Sequence, residues 1–197
     1  MPEATFIYNV NPDLPELQAP FSIGVHPWFI TPESFDNRLA ATRDLIVHPL
    51  CVAVGECGID KNRGAELSLQ KEMFRRMVDL SETYRKPMII HCVKGFDEIF
   101  SVYKEKKPQQ PWIIHGFRGK PDQAYQLLKA GMMISLGDKF NPETARIIPV
   151  DKLFVETDES PVSVQTVYQR IASIKGISET SLAEVINRHA ERLFGIE

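Results

Sequence analysis

The 197-residue sequence contains no apolar run approaching the ~20 residues needed to cross a bilayer. Its opening, MPEATFIYNV, lacks the basic start and long apolar stretch of a secretory signal. No membrane association is expected, and a cytoplasmic location is. Cysteine is scarce: Cys51, Cys57 and Cys92 are odd in number and match no zinc-finger spacing, so they read as reduced, small core residues. An excess of positive charge is missing as well. The net charge of −3 and pI near 6.0 leave no electrostatic footprint for tight, non-specific binding to nucleic acid. The local run YKEKKPQQP (103–111) reads as a solvated helix end and turn. A phosphodiester substrate would therefore call for a metal to supply much of the positive charge. Repeats, low-complexity tracts and long linkers are absent, which predicts one domain over residues 1–197.

What the sequence does contain is alternation. Short apolar runs occur at ATFIYNV (4–10), FSIGVHP (21–27), CVAVGE (51–56), PMIIHC (87–92), PWIIHG (111–116), MMISLG (132–137) and KLFVETD (152–158). Most are rich in Val, Ile and Phe and bounded by Gly or Pro, the pattern of buried parallel strands. Helical segments lie between most of them. Thr31 followed by Pro32 reads as an N-cap and first helical position, and Leu67, Phe74, Met77, Val78 and Tyr84 form a stripe. Gly131 suits a helix C-terminus, Asn141-Pro142 opens a short helix, and Ser178 caps the last one. This is an α/β protein with a parallel sheet, either a (β/α) barrel or a doubly wound open sheet. Seven strand candidates are present where a closed barrel takes eight.

The polar residues carry the chemistry. Glu56, His91, His115 and Asp158 each read as following an apolar strand, and His26 follows SIGV. C-terminal strand ends of a parallel sheet share one face, so these side chains are expected to converge on one rim. Two histidines and two carboxylates suit a divalent ion, and a carboxylate such as Glu56 can bridge two. A metal would also compensate a carboxylate embedded in the apolar CVAVGECGID. His48 reads as a structural or surface residue and His189 as structural. Arg118, near His115 in HGFRG, reads as a substrate-phosphate contact or as a surface ion pair.

The segments GVHPW, GECGID, PMIIHC, IIHGFRG, VETDESP and the ending NRHAERLFGIE together resemble the TatD family of metal-dependent hydrolases, in order over residues 21–197. The resemblance implies a TIM-like (β/α) barrel, one or two divalent ions (Zn, Mn, Mg or Ni) and phosphodiester hydrolysis, typically of DNA. It implies that Glu56 bridges metals, that His91 and His115 complete one metal site, and that Asp158 serves the attacking water beside the other. His26 falls where the family has a pocket histidine. The family's first strand carries His-x-His, which this sequence lacks. Seven strands with the first missing are therefore expected, with one ion held tightly by Glu56, His91 and His115 and self-association possible through the gap. Two other functions fit the residues: an amidohydrolase-like enzyme cleaving C–N or ester bonds on the same barrel, and a non-catalytic relative acting as a binding protein.

Overall fold

The computed structural model describes residues 6–12 and 19–196. Among these, the chain runs β1 (Tyr8–Val10), β2 (Phe21–Ile23), a 3-10 turn (Pro27–Phe29), α1 (Phe35–Ile46), β3 (Cys51–Asp60), α2 (Leu67–Tyr84), β4 (Met88–Val93) and α3 (Phe96–Lys106). It continues through β5 (Trp112–Ile114), α4 (Pro121–Lys129), β6 (Met133–Leu136), α5 (Pro142–Ile147), a second 3-10 turn (Val150–Lys152), β7 (Leu153–Val155), α6 (Val164–Lys175) and α7 (Glu179–Phe194). The residues group into two compact units, one of Phe6–Trp112 and one from Ile113 onward. All seven expected strands form, although residues 4 and 5 of the first run lie outside the described residues.

In the first unit β1 to β4 pair in chain order, every pair parallel. Helix α2 buries Met73, Phe74, Met77, Val78, Leu80 and Ser81, spaced three or four apart so that one face meets the core. Phe74 packs edge-on against the fully buried Trp112 with ring centroids 5.3 Å apart, and Tyr103 approaches Trp112 at 5.0 Å. Helix α3 ends at Lys106 with Lys107 in a left-handed C-cap, so the lysine-rich run is the expected helix end. In the second unit β5, β6 and β7 are again parallel and in order. Their buried Ile114, Ile134, Leu136 and Leu153 share a core with Leu127, Val167, Ile171 and Leu182 of the helices. Asn141 accepts the N–H groups of Glu143 and Thr144, and Ser178 accepts that of Ser181, the two caps expected. Helix α6, capped by Ser163, had not been expected from the pattern.

Two local expectations are corrected. Helix α1 begins at Phe35 after Ser34, not after Thr31. Thr31 instead closes a turn with Ser34: its N–H donates to Ser34 Oγ at 3.0 Å, and its own Oγ1 accepts the Ser34 N–H at 3.1 Å. Strand β3 does not stop at the glycines around Glu56 but runs on to Asp60. The glycines serve the neighbouring strand. A Cβ on Gly55 would lie 2.3 Å from the Ile89 carbonyl oxygen, and one on Gly58 would lie 2.0 Å from that of His91. Both have positive φ, 149° and 146°. The pairing of β3 with β4 shifts register between Val54 and Cys57, where Gly55 and Glu56 lie.

Candidate metal centre

Glu56 lies inside β3, not at its end, with its side chain 17% exposed. Its backbone N–H donates to the Asn9 side chain of β1 at 2.9 Å, which pins the peptide across two strands. Neither cation that neighbours it in sequence pairs with it in the contacts described. Lys61 forms an ion pair with Glu98 at 2.8 Å, and the Arg63 guanidinium stacks 4.0 Å over the Trp28 ring. A partner on the other side is His26, whose Nε2 is 3.9 Å from Glu56 Oε2.

His26 is held by the turn that follows it. Its Nδ1 accepts the Trp28 backbone N–H at 3.2 Å, capping the 3-10 turn. With Nδ1 occupied as an acceptor, the neutral ring carries its proton on Nε2, the nitrogen facing Glu56. His91 lies within β4, also short of the strand end, and is nearly buried. The His26 and His91 rings meet edge to face with centroids 4.3 Å apart. His26, Glu56 and His91 each offer a donor atom within 4.8 Å of the others, so this group could hold a metal ion.

Behind His91 stands Asp60, the last residue of β3 and almost fully buried. Its Oδ2 faces Trp28 Nε1 at 2.6 Å and His91 Nε2 at 3.2 Å. Burial alone would raise its pKa. The Trp28 indole, the Asn62 backbone N–H and His91 outweigh that and hold the carboxyl below the usual carboxylate range.

A second group forms in the other unit. His115 is the first residue after β5 and Glu156 the first after β7, while Asp158 sits two residues further on, in a turn at φ 50°. The expectation that Asp158 directly follows its strand is therefore corrected: the apolar run ends at Val155. His115 Nδ1 is 3.4 Å from Glu156 Oε1. Burial pushes the Glu156 carboxyl up, but His115, the Ser135 hydroxyl and the Gly116 N–H bring it below its ordinary value. Donor atoms of His115, Glu156 and Asp158 lie within 4.8 Å of one another, a second group that could hold a metal.

The sequence reading thus named Glu56, His91 and His26 of one group and His115 and Asp158 of the other. It missed Glu156 and Asp60. The signal for Glu156 was present, since it is the residue that directly follows LFV. Arg118 is exposed, three residues beyond His115. His48 turns the chain into β3, its Nδ1 accepting the Leu50 N–H at 3.2 Å, the structural role expected. All three cysteines are free; burial pushes the thiols of Cys51 and Cys57 up and that of Cys92 to about 12. Among the described residues no helix is long and apolar enough to cross a membrane.

Comparison with known proteins gives the family and the fold class of the chain. The chain is 28% identical to the "Uncharacterized metal-dependent hydrolase YabD" of Bacillus subtilis (strain 168), over 89% of this chain and 77% of that protein. It is 26% identical to the "3'-5' ssDNA/RNA exonuclease TatD" of Pantoea ananatis (strain LMG 20103), over 88% of this chain and 76% of that protein. Among solved structures, YJJV of Escherichia coli K12, described as a TatD homolog, aligns with TM-score 0.81 and 20% identity, covering 98% of this chain and 87% of that one. That likeness is one of fold, and the fold class is the TIM-like α/β class expected. The family model described as TatD related DNase matches residues 16–195, and with nearly the whole chain matched, this chain belongs to the TatD related DNase family of hydrolases.

Proposed function

We propose that this chain is a metal-dependent phosphodiesterase that cleaves DNA or a related nucleic acid, working in the cytoplasm. The observation that carries the reading is the pair of donor groups, His26–Glu56–His91 and His115–Glu156–Asp158, each mixing imidazole with carboxylate. Such sets suit Zn, Mn or Ni, and their oxygen donors admit Mg. In the first group Glu56 and His91 are the ligands. His26, committed to the Trp28 N–H through Nδ1, fits a substrate contact better than a ligand. In the second group His115, Glu156 and Asp158 offer donors. A bound divalent ion supplies water of lowered pKa and positive charge for the phosphoryl oxygens.

The chain's own side chains do the rest. Within the second group, Asp158, exposed on its turn beside His115 and Glu156, is the base for a water. Within the first group, His26 offers its Nε2–H to a phosphate oxygen, with Glu56 Oε2 3.9 Å from that nitrogen and outside hydrogen-bond reach. Arg118 meets the phosphate backbone from the surface. The relative from Pantoea ananatis, named for single-stranded DNA and RNA, supports the substrate class. Three free cysteines support a reducing compartment.

The test uses chain stripped with chelator, then supplied singly with Zn, Mn, Mg or Ni, against end-labelled single-stranded DNA, RNA, and lactone and amide substrates. Cleavage of the nucleic acids that returns with metal is expected. Glu56→Gln, His91→Asn and Asp158→Asn should each lower it by about 10²–10³, equivalent to ~3–4 kcal/mol of transition-state stabilisation. Lactone or amide turnover without nuclease activity would replace the reading with the amidohydrolase-like one. Metal binding without any turnover would replace it with a binding protein.

A further inference from the structure

Asp60 is not among the donor groups, yet every acceptor position of its carboxylate is taken. Oδ1 accepts the backbone N–H groups of Asn62 at 2.8 Å and Arg63 at 3.2 Å. Oδ2 takes the Trp28 indole N–H at 2.6 Å and faces His91 Nε2 at 3.2 Å. Its backbone is clamped as well. The Asp60 N–H donates to Gln70 Oε1 at 2.8 Å, and the Gln70 amide returns a bond to the Asp60 carbonyl at 2.9 Å. Gln70 is itself buried and tied to the Ala65 carbonyl at 2.7 Å. Arg63 covers the Trp28 ring from outside. This carboxylate can neither rotate nor move without breaking several bonds at once.

We propose that Asp60 is the positioning residue that fixes the tautomer and plane of His91, so that His91 presents Nδ1 as its lone-pair nitrogen. A carboxylate whose oxygens already accept N–H donors has nothing to donate, so the bond to His91 requires hydrogen on Nε2. The neutral imidazole then has one basic nitrogen left, Nδ1. Trp28 shares the same oxygen and sets where His91 can dock, so residues 28, 60 and 91 form one relay from three separate elements. The role rests on the reading of His91 as a metal ligand. Carboxylates behind ligating histidines typically change metal affinity by about 10–100-fold when removed.

The tautomer is measured directly on the metal-free chain, with no substrate, by two-bond ¹H–¹⁵N correlation of the imidazole nitrogens. The expected result for the wild-type chain is hydrogen on Nε2 of His91. In Asp60→Asn the amide must turn its NH₂ toward one pair of donors. The conflict is relieved if His91 moves its hydrogen to Nδ1, so that tautomer should become populated. Titration with zinc alone should then weaken by about 10–100-fold in Asp60→Asn. In Trp28→Phe, which leaves the Asp60 bond intact, the Nε2–H form should persist. Hydrogen on Nδ1 in the wild-type chain overturns the proposal, whether or not Asp60→Asn folds. So does a folded Asp60→Asn whose His91 signal is unchanged. Absence of nuclease activity would overturn the proposed reaction without altering the tautomer result.

Discussion

Replacing Gly58 by alanine tests whether the glycines beside Glu56 are there for the sheet. Two costs arise. The residue sits at φ 146°, which a side chain disfavours by about 1–2 kcal/mol. The new Cβ would also stand 2.0 Å from the His91 carbonyl oxygen, and that oxygen belongs to backbone, which cannot swing aside as a side chain can. Relief requires β4 to draw away from β3, weakening at least one ladder bond at ~1 kcal/mol and adding a strain of about 1–3 kcal/mol. The expected loss is about 3–6 kcal/mol, a large part of the ~5–15 kcal/mol by which domains are stable. At ~2–4 °C per kcal/mol the melting temperature should fall by about 6–24 °C. Gly176 supplies the control. It too has positive φ, 66°, but a Cβ there meets nothing within 4 Å, so Gly176→Ala isolates the conformational cost alone. Urea unfolding followed by far-UV circular dichroism measures both. If Gly58→Ala and Gly176→Ala lose the same stability, the close approach of β4 does not govern the glycine, and the account of this strand pair is wrong.

Three further outcomes follow from other contacts. Burial raises the Glu98 carboxyl but its ion pair with Lys61 outweighs this, so its folded pKa lies below the ordinary value. That contribution is present above the unfolded pKa near ~4.3 and is lost as pH falls through the lower folded value. Glu98→Gln should thus cost about 1–2 kcal/mol at pH 7, and urea midpoints should show the deficit narrowing as pH falls below ~4. The buried Trp112 indole N–H has no hydrogen-bond partner among the described residues, so Trp112→Phe should change stability by less than about 1.5 kcal/mol by calorimetry, whereas Trp112→Ala should cost ~3–5 kcal/mol. Glu156→Gln loses a charged partner of His115; metal content after dialysis should drop, and cleavage should fall by about 10² or more.

How much of this was legible in the sequence depended on the range of the interaction. Strand positions, the Asn141 and Ser178 caps and the clustering of Glu56 with His91 follow from local pattern. Apolar runs set the strands, and a carboxylate between glycines is a local anomaly. The start of α1 was misread because Thr31 and Ser34 each accept the other's N–H in a closed turn before the helix, and only geometry shows that turn. Glu156 was passed over in favour of Asp158 because ETD offers two carboxylates, and the end of β7 decides which one meets His115. Asp60 was not legible at all. Its partners lie 32 residues before and 31 after it, and nothing in GID announces that Trp28 and His91 will arrive at one oxygen.

The cysteines carry one more consequence. All three belong to strands of a single unit, Cys51 and Cys57 to β3 and Cys92 to β4, and none occurs elsewhere in the chain. With thiols this protonated, alkylating reagents react with the native state slowly and with opened states fast. The protein therefore contains a built-in clock for fraying of its own candidate site. The rate at which each thiol is labelled reports how often β3 or β4 separates from the sheet, strand by strand, without any probe being introduced.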